Sequence, residues 1–218
     1  TLFEYSLIVN STGTIKGTLY NGGGTTAYLV VDSLDNIVPS NTWTNVVMVY
    51  NGSETVQSIK LYANGVDASS IYTTVGSYAG MSNTASLFNI GRHNPTTGAV
   101  YGNGTIDEVQ IINRSLSAQE VSDMYNATKL PYVSGWSNLT AKIRISKSVN
   151  ATSSEIKNFT LDDYNLRANA VAYWKLDSNT SGNWTDETGR NNGTSSGGVF
   201  LNSSGYINSA GGFDGSND

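Results

Sequence analysis

The chain has 218 residues, a net charge of −5, a pI near 4.8, 13% charged residues and no cysteine. These numbers exclude a disulfide framework and a thiolate metal centre. They also argue against nucleic acid, which needs clustered Lys and Arg. Solubility rests on Ser, Thr, Asn and Gly, a mixture that disfavours long helices and suits short strands joined by tight turns.

In chain order, "YSLIVNSTGTIKGTLY" (Tyr5–Tyr20) carries two alternating runs around Ser11–Gly13, which predicts a hairpin. "NGGGTT" (Asn21–Thr26) has glycines but no following Lys or helix. It therefore reads as a hairpin tip leading into "TTAYLVVDS", not as a phosphate loop. "WTNVVMVYN" (Trp43–Asn51) is an apolar, β-branched run of the kind buried on both faces. In Gln57–Thr74, Ile59, Leu61 and Ala63 alternate, and Asn64-Gly65 supplies the positive φ angles of a two-residue turn. "ASLFNIG" (Ala85–Gly91) and "GTIDEVQIIN" (Gly104–Asn113) read as two more strands. The loop between them is long enough to carry function, with the single His93 as a surface polar group.

One helix is expected. Ser117 and Glu120 form a capping box, Leu116 and Val121 a hydrophobic staple, and Val121, Met124 and Tyr125 an apolar face. Three units follow from the pattern: 1–129, a connector over 130–168, and 169–218. The connector holds two predicted strands, Ala141–Val149 and Ile156–Tyr164, and the third unit opens with the apolar strand "AVAYWKLD" and a long polar loop. No stretch approaches 18 apolar residues, so no membrane-crossing helix is expected. The chain does not open with a basic leader, so a signal peptide or anchor would lie outside this sequence.

Asp107 and Glu108 are adjacent in the most β-like stretch. On a strand side chains alternate, so the two point to opposite faces, with no second carboxylate beside either. A retaining glycosidase needs its two carboxyl groups about 5–5.5 Å apart across the scissile bond, so this pattern argues against a strand-borne catalytic pair. Glu120 is explained by helix capping. Oxygen ligands suited to calcium occur at Asp186 and Glu187, and at Asp214, Asn217 and Asp218. The spacing is not that of an EF-hand, and Asx turns are the competing reading. Tyr78, Tyr101 and Trp184 are loop aromatics able to stack on sugar rings or simply to pack.

Asn-x-Ser/Thr sequons stand at Asn10, Asn51, Asn103, Asn113, Asn126, Asn138, Asn150, Asn158, Asn179, Asn183, Asn192 and Asn202. Chance would place about six of the 25 asparagines in sequons at this Ser and Thr content, half the number found. The excess points to an N-glycosylated surface protein; Asn-rich turns offer the plainer account.

The runs "TWTNVVMVYNGS", "IKLYANGV", "LFNIGRHN" and "GNGTIDEVQIINRSLSAQEVSDMYN" together resemble the C-terminal two-thirds of a laminin-G-like domain of the concanavalin-A-like jelly-roll superfamily. "AVAYWKLD", "DETGRNNGT" and "GGFDGSND" resemble the beginning of the same domain. The sequons with "NRSLS" also look like surface proteins of archaea. The resemblance implies an all-β jelly-roll sandwich with one short helix and a small β connector. The family's order is inverted here, end before beginning, and its middle segment appears nowhere. Either the chain is a window on a tandem array, or the two partial units complete one another, within one chain or between copies by strand complementation. The expected function is a non-enzymatic, glycosylated, extracellular module acting in adhesion or in a surface filament or coat. The alternative is a glycan-binding lectin module of a larger protein, with or without calcium.

Overall fold

The computed structural model describes residues 4–21, 26–81, 87–93, 100–128 and 170–216. Asn138, Asn150, Asn158, Asn217, Asp218 and the two strands expected in the connector lie outside these residues.

The first half of the chain gives strands β1 (Tyr5–Val9), β2 (Ile15–Tyr20), β3 (Tyr28–Asp32), β4 (Val46–Tyr50), β5 (Ile59–Ala63), β6 (Val66–Asp67) and β7 (Ile71–Val75). They form two antiparallel sheets, in the orders β1-β2-β3-β7 and β4-β5-β6. The expected hairpin around Ser11–Gly13 pairs Tyr5 with Leu19 and Val9 with Ile15. The side chain of Asn10 closes its turn by accepting from the Thr12 and Thr14 amides at 3.0 Å. Asn64 and Gly65 take φ of 51° and 77° between β5 and β6, the positive angles a tight two-residue turn requires.

Ile15 and Leu19 from β2, Leu29 and Val31 from β3, and Ile59 and Leu61 from β5 share one buried cluster between the sheets. Each such side chain contributes about 1.5–3 kcal/mol by leaving water. The strand expected to be covered on both faces is so covered. Val46, Met48 and Tyr50 of β4 pack on this cluster, while Val47 and Val49 face a second one with Tyr62, Leu116 and Val121.

That second cluster seats the helix α1 (Ala118–Thr128). Its capping box forms as the sequence dictates. The Ser117 amide donates to the Glu120 carboxylate at 2.8 Å, and the Glu120 amide donates to Ser117 Oγ at 3.2 Å. Arg114 adds an ion pair to Glu120 at 2.7 Å. The staple residues Leu116 and Val121 are both buried.

The strand expected over Ala85–Gly91 is absent from the described residues 87–91. A short hairpin stands just beyond instead, β8 (Arg92–His93) with β9 (Val100–Tyr101). His93 is half-buried there, and burial lowers its imidazole pKa, so it is neutral rather than a solvated surface group. The run Gly104–Asn113 is also not one strand. It breaks into β10 (Asn103–Ile106) and β11 (Val109–Ile112), with Glu108 between them at φ 53°, a left-handed conformation incompatible with a continuing strand. The inference that Asp107 and Glu108 stand back to back on one strand therefore fails.

The last stretch contributes β12 (Ala170–Trp174), β13 (Asn183–Trp184), β14 (Gly193–Thr194), β15 (Phe200–Asn202) and β16 (Ala210–Asp214). These strands turn back on the first half. β12 pairs antiparallel with β11, Val109 opposite Trp174, and β16 lies between β10 and β15, Ile106 opposite Gly211. A third cluster fills the seam, with Ala172, Trp174, Leu176 and Trp184 against Ile106, Val109 and Ile111. Gly91 shows how close the halves approach: any Cβ there would lie 2.1 Å from the Phe213 ring. The segment resembling a domain's beginning thus pairs with the segment resembling its end, within one chain.

The edge strand β1 presents an apolar face to solvent. Tyr5, Leu7 and Val9 lie opposite buried residues of β2, yet are 43–44% exposed. Leu61→Ala is expected to cost about 2–5 kcal/mol, because Leu61 sits at the centre of the inter-sheet cluster. Urea unfolding should show a lower midpoint with an unchanged slope.

Candidate functional site

Two places collect the residues that sequence reasoning singled out. The first is the corner where β10 gives way to β11. The break aims both carboxylates at the returning segment. Asp107 accepts from the Ile207 amide at 2.9 Å and from the Glu108 amide at 2.9 Å. Glu108 accepts a short hydrogen bond from the Tyr173 hydroxyl. Nearby, Asp177 accepts from the Ser209 amide at 3.1 Å and from Asn208 Nδ2 at 3.3 Å. Burial holds Asp107 and Glu108 above the usual carboxylate range; hydrogen bonds from the Ile207 amide and the Tyr173 hydroxyl oppose it only in part.

Asp186 is 1% exposed and takes five donors. Oδ1 accepts from the Tyr173 amide at 2.8 Å and the Thr188 amide at 3.0 Å. Oδ2 accepts from the Thr188 hydroxyl and from the amides of Arg190 and Asn191. Burial alone would raise its pKa, but these hydrogen bonds to the ionised form win and hold it well below the usual range. A carboxylate has about four lone-pair sites, so Asp186 is filled by protein donors and works as the anchor of the 186–191 loop. Asp214 caps its own turn, accepting from the Ser216 amide at 2.8 Å, and Glu187 pairs with Lys175 at 3.1 Å. Among the described residues, no group of three or more His, Asp or Glu is placed to hold a metal ion.

The second place is a cleft of about 310 Å³, lined by Glu54, Gln57, Thr74 and Tyr78 over Leu29 and Val56. Glu54 is held at φ 56° in the loop after β4, its amide donating to the Tyr50 hydroxyl at 3.2 Å. Burial, reinforced by Tyr50 and Glu54, raises the Tyr78 phenol pKa, so the ring keeps a neutral hydroxyl. The set offers an aromatic ring, a carboxylate, an amide and a hydroxyl around an apolar floor, groups suited to a polyhydroxylated ligand.

Of the three aromatics named from sequence, only Tyr78 lines this cleft. Trp184 is a core residue, 5% exposed, with Nε1 donating to Ser195 Oγ at 2.8 Å, so it has no free face. Tyr101 carries the Arg92 guanidinium over its ring at 5.6 Å. Glu54, Gln57 and Thr74 were not singled out from sequence. They come from a loop, a 3-10 turn and a strand, and nothing in their local pattern signals that they converge.

Short antiparallel strands in several sheets, one capped helix and acidic ties across the β10–β11 corner define an all-β sandwich module. The chain belongs to the laminin G-like family of the Concanavalin A-like lectin/glucanases superfamily, whose family model matches residues 3–122. No curated protein and no solved structure is significantly similar to it. The matched span stops short of β12 and β16, the strands that close the fold.

The carboxylates respond to pH in opposite senses. A carboxyl raised on folding stabilises the protein while protonated, and that contribution is lost as pH rises through the folded value. Asp107 and Glu108 are of this kind. Asp186, and Glu120 with its pKa held down to about 2 by Arg114 and Ser117, contribute stability above the ordinary carboxylate value, lost as pH falls through the folded one. Asp186→Asn is expected to destabilise by about 3 kcal/mol at pH 7, because an amide cannot accept on both sides. Glu108→Gln keeps an acceptor for Tyr173 and should flatten the rise in stability as pH falls from 7 towards the ordinary carboxylate value. Urea midpoints across that range check both.

Proposed function

We propose that the chain is a non-enzymatic module of an extracellular surface, adhesive or structural rather than catalytic. One observation carries the reading. The half-buried acids Asp107 and Glu108 reach across to the returning segment, accepting from the Ile207 amide and the Tyr173 hydroxyl, which supports a role in holding strands together. The test is turnover: the folded chain incubated with a polysaccharide panel releases no new reducing ends. Release abolished by Glu108→Gln would overturn the proposal.

The sequons support the extracellular placement. Asn10, Asn51, Asn103, Asn113, Asn126, Asn183 and Asn192 are exposed, whereas Asn179 and Asn202 are half-buried. The Asn179 amide nitrogen donates to Ser195 Oγ at 3.0 Å, and that of Asn202 to Thr105 Oγ1 at 3.3 Å. A glycan attaches through this nitrogen. Expressed in a glycosylating host, the chain should carry glycan at Asn51 and Asn113 in a larger fraction than at Asn179 and Asn202. Glycopeptide mass spectrometry reads the ratio, and a reversed order would count against glycosylation of this folded form.

A second reading rests on the cleft: glycan binding, with Tyr78 as the stacking ring and Glu54, Gln57 and Thr74 as the polar partners. Binding on a glycan array lost in Tyr78→Ala but kept in Tyr101→Ala would support it. A chelator added to the same array distinguishes a calcium-dependent lectin from a direct one. Binding unchanged in Tyr78→Ala would move the ligand elsewhere.

A further inference from the structure

We propose that residues 170–216 are an exchangeable strand donor, and that a second copy of this chain takes them up at the site they fill in their own. The inference rests on the reading of the chain as a structural unit, and it names that unit's partner.

The seam has the anatomy of an interface between two bodies. On the acceptor side are β10 and β11, with Ile106, Val109 and Ile111 behind them. The donor side offers β12 and β16 with Ala172, Trp174 and Leu176. Around the rim, Phe88 stacks on Trp174 with ring centroids 5.6 Å apart, and Trp43 meets Tyr206 edge-on at 6.1 Å.

The donor carries much of its structure with it. Trp174 Nε1 donates to the Asn191 carbonyl at 2.8 Å, Asp186 anchors its loop, β13 pairs with β14 and β15 with β16. None of these contacts involves the acceptor, so they travel with the donor.

Exchange between copies remakes every cross-seam contact in kind, so the contacts do not choose between a chain's own donor and its neighbour's. Connection decides. The donor is joined to the acceptor only through residues 129–169. That is 41 residues, whose extended contour spans at most on the order of 140 Å, far enough to reach an adjacent molecule. Tethering sets the effective concentration of a chain's own donor at about millimolar or less. A dilute solution therefore favours the self-closed monomer, and crowding at a surface favours exchange. Because donor and acceptor are different patches of one chain, exchange that does not close on itself runs head to tail and builds a filament.

The absence of cysteine makes the test clean. Asn103 and Asp214 are cross-strand partners at the exposed end of the seam, and partners directly opposite on antiparallel strands lie within disulfide reach. The full chain carrying both Asn103→Cys and Asp214→Cys should oxidise to a compact monomer when dilute. Failure to close would overturn both the seam and the exchange. The two single variants are then mixed, unfolded, refolded together at high concentration and oxidised. A mixed disulfide between the Asn103→Cys chain and the Asp214→Cys chain, several-fold above either homodisulfide, forms only if one copy's donor occupies the other's acceptor. Mixed and homodisulfides in statistical proportion, with the double variant closing normally, would overturn exchange and leave the structural reading standing.

Discussion

The pairing of residues 103–112 with residues 170–214 is the constraint on which the rest of the structure depends. Without it, β10 and β11 are bare edges, and Ile106, Val109 and Ile111 face water. Such edges are templates for uncontrolled pairing. Two strands brought back from far along the chain pair with one side of each. The same pairing packs Trp174 and Trp184, from a polar, Asn- and Thr-rich stretch, into a core with Ile106, Val109 and Ile111.

The acids at the corner belong to this constraint. Buried charges are poor sources of net stability, since desolvation offsets much of what they gain. Their contribution is positional. Asp107 accepts one particular amide, that of Ile207, and Glu108 one particular hydroxyl, that of Tyr173. A slip of β12 or β16 by one residue would leave a half-buried carboxylate without its donor, in addition to turning the apolar residues to the wrong face. The apolar cluster supplies the driving force for closure and the acids supply its register.

Local features were legible in the sequence because local rules decide them. The Asn64-Gly65 turn needs positive φ at both residues, the Ser117–Glu120 cap needs a fixed spacing, and β4 declares its two buried faces in an unbroken apolar run. The break at Asp107–Glu108 was not legible. Glutamate in a left-handed conformation goes against its own preference, and the corner is tied down by partners 65 positions from Glu108 and 100 from Asp107. Trp184 misled for the same reason: its neighbours in sequence are polar, its neighbours in space are not. The cleft around Tyr78 was invisible except for Tyr78 itself, because a loop, a turn and a strand meet there by folding alone.

The family resemblance and the fold draw different boundaries, and the difference has a physical meaning. The family match ends at residue 122, inside α1, whereas the last strand of the seam ends at Asp214. A cut after the matched span would keep the first two clusters, around Leu61 and around Val121, nearly whole. It would remove most of the third. Two clusters thus lie within the first part of the chain, while the third joins it to strands from beyond residue 169. On the proposed exchange, connection as well as contact decides which copy's strands fill the seam. Where many copies are held close together, one jelly roll's closing strands and its neighbour's are chemically the same thing.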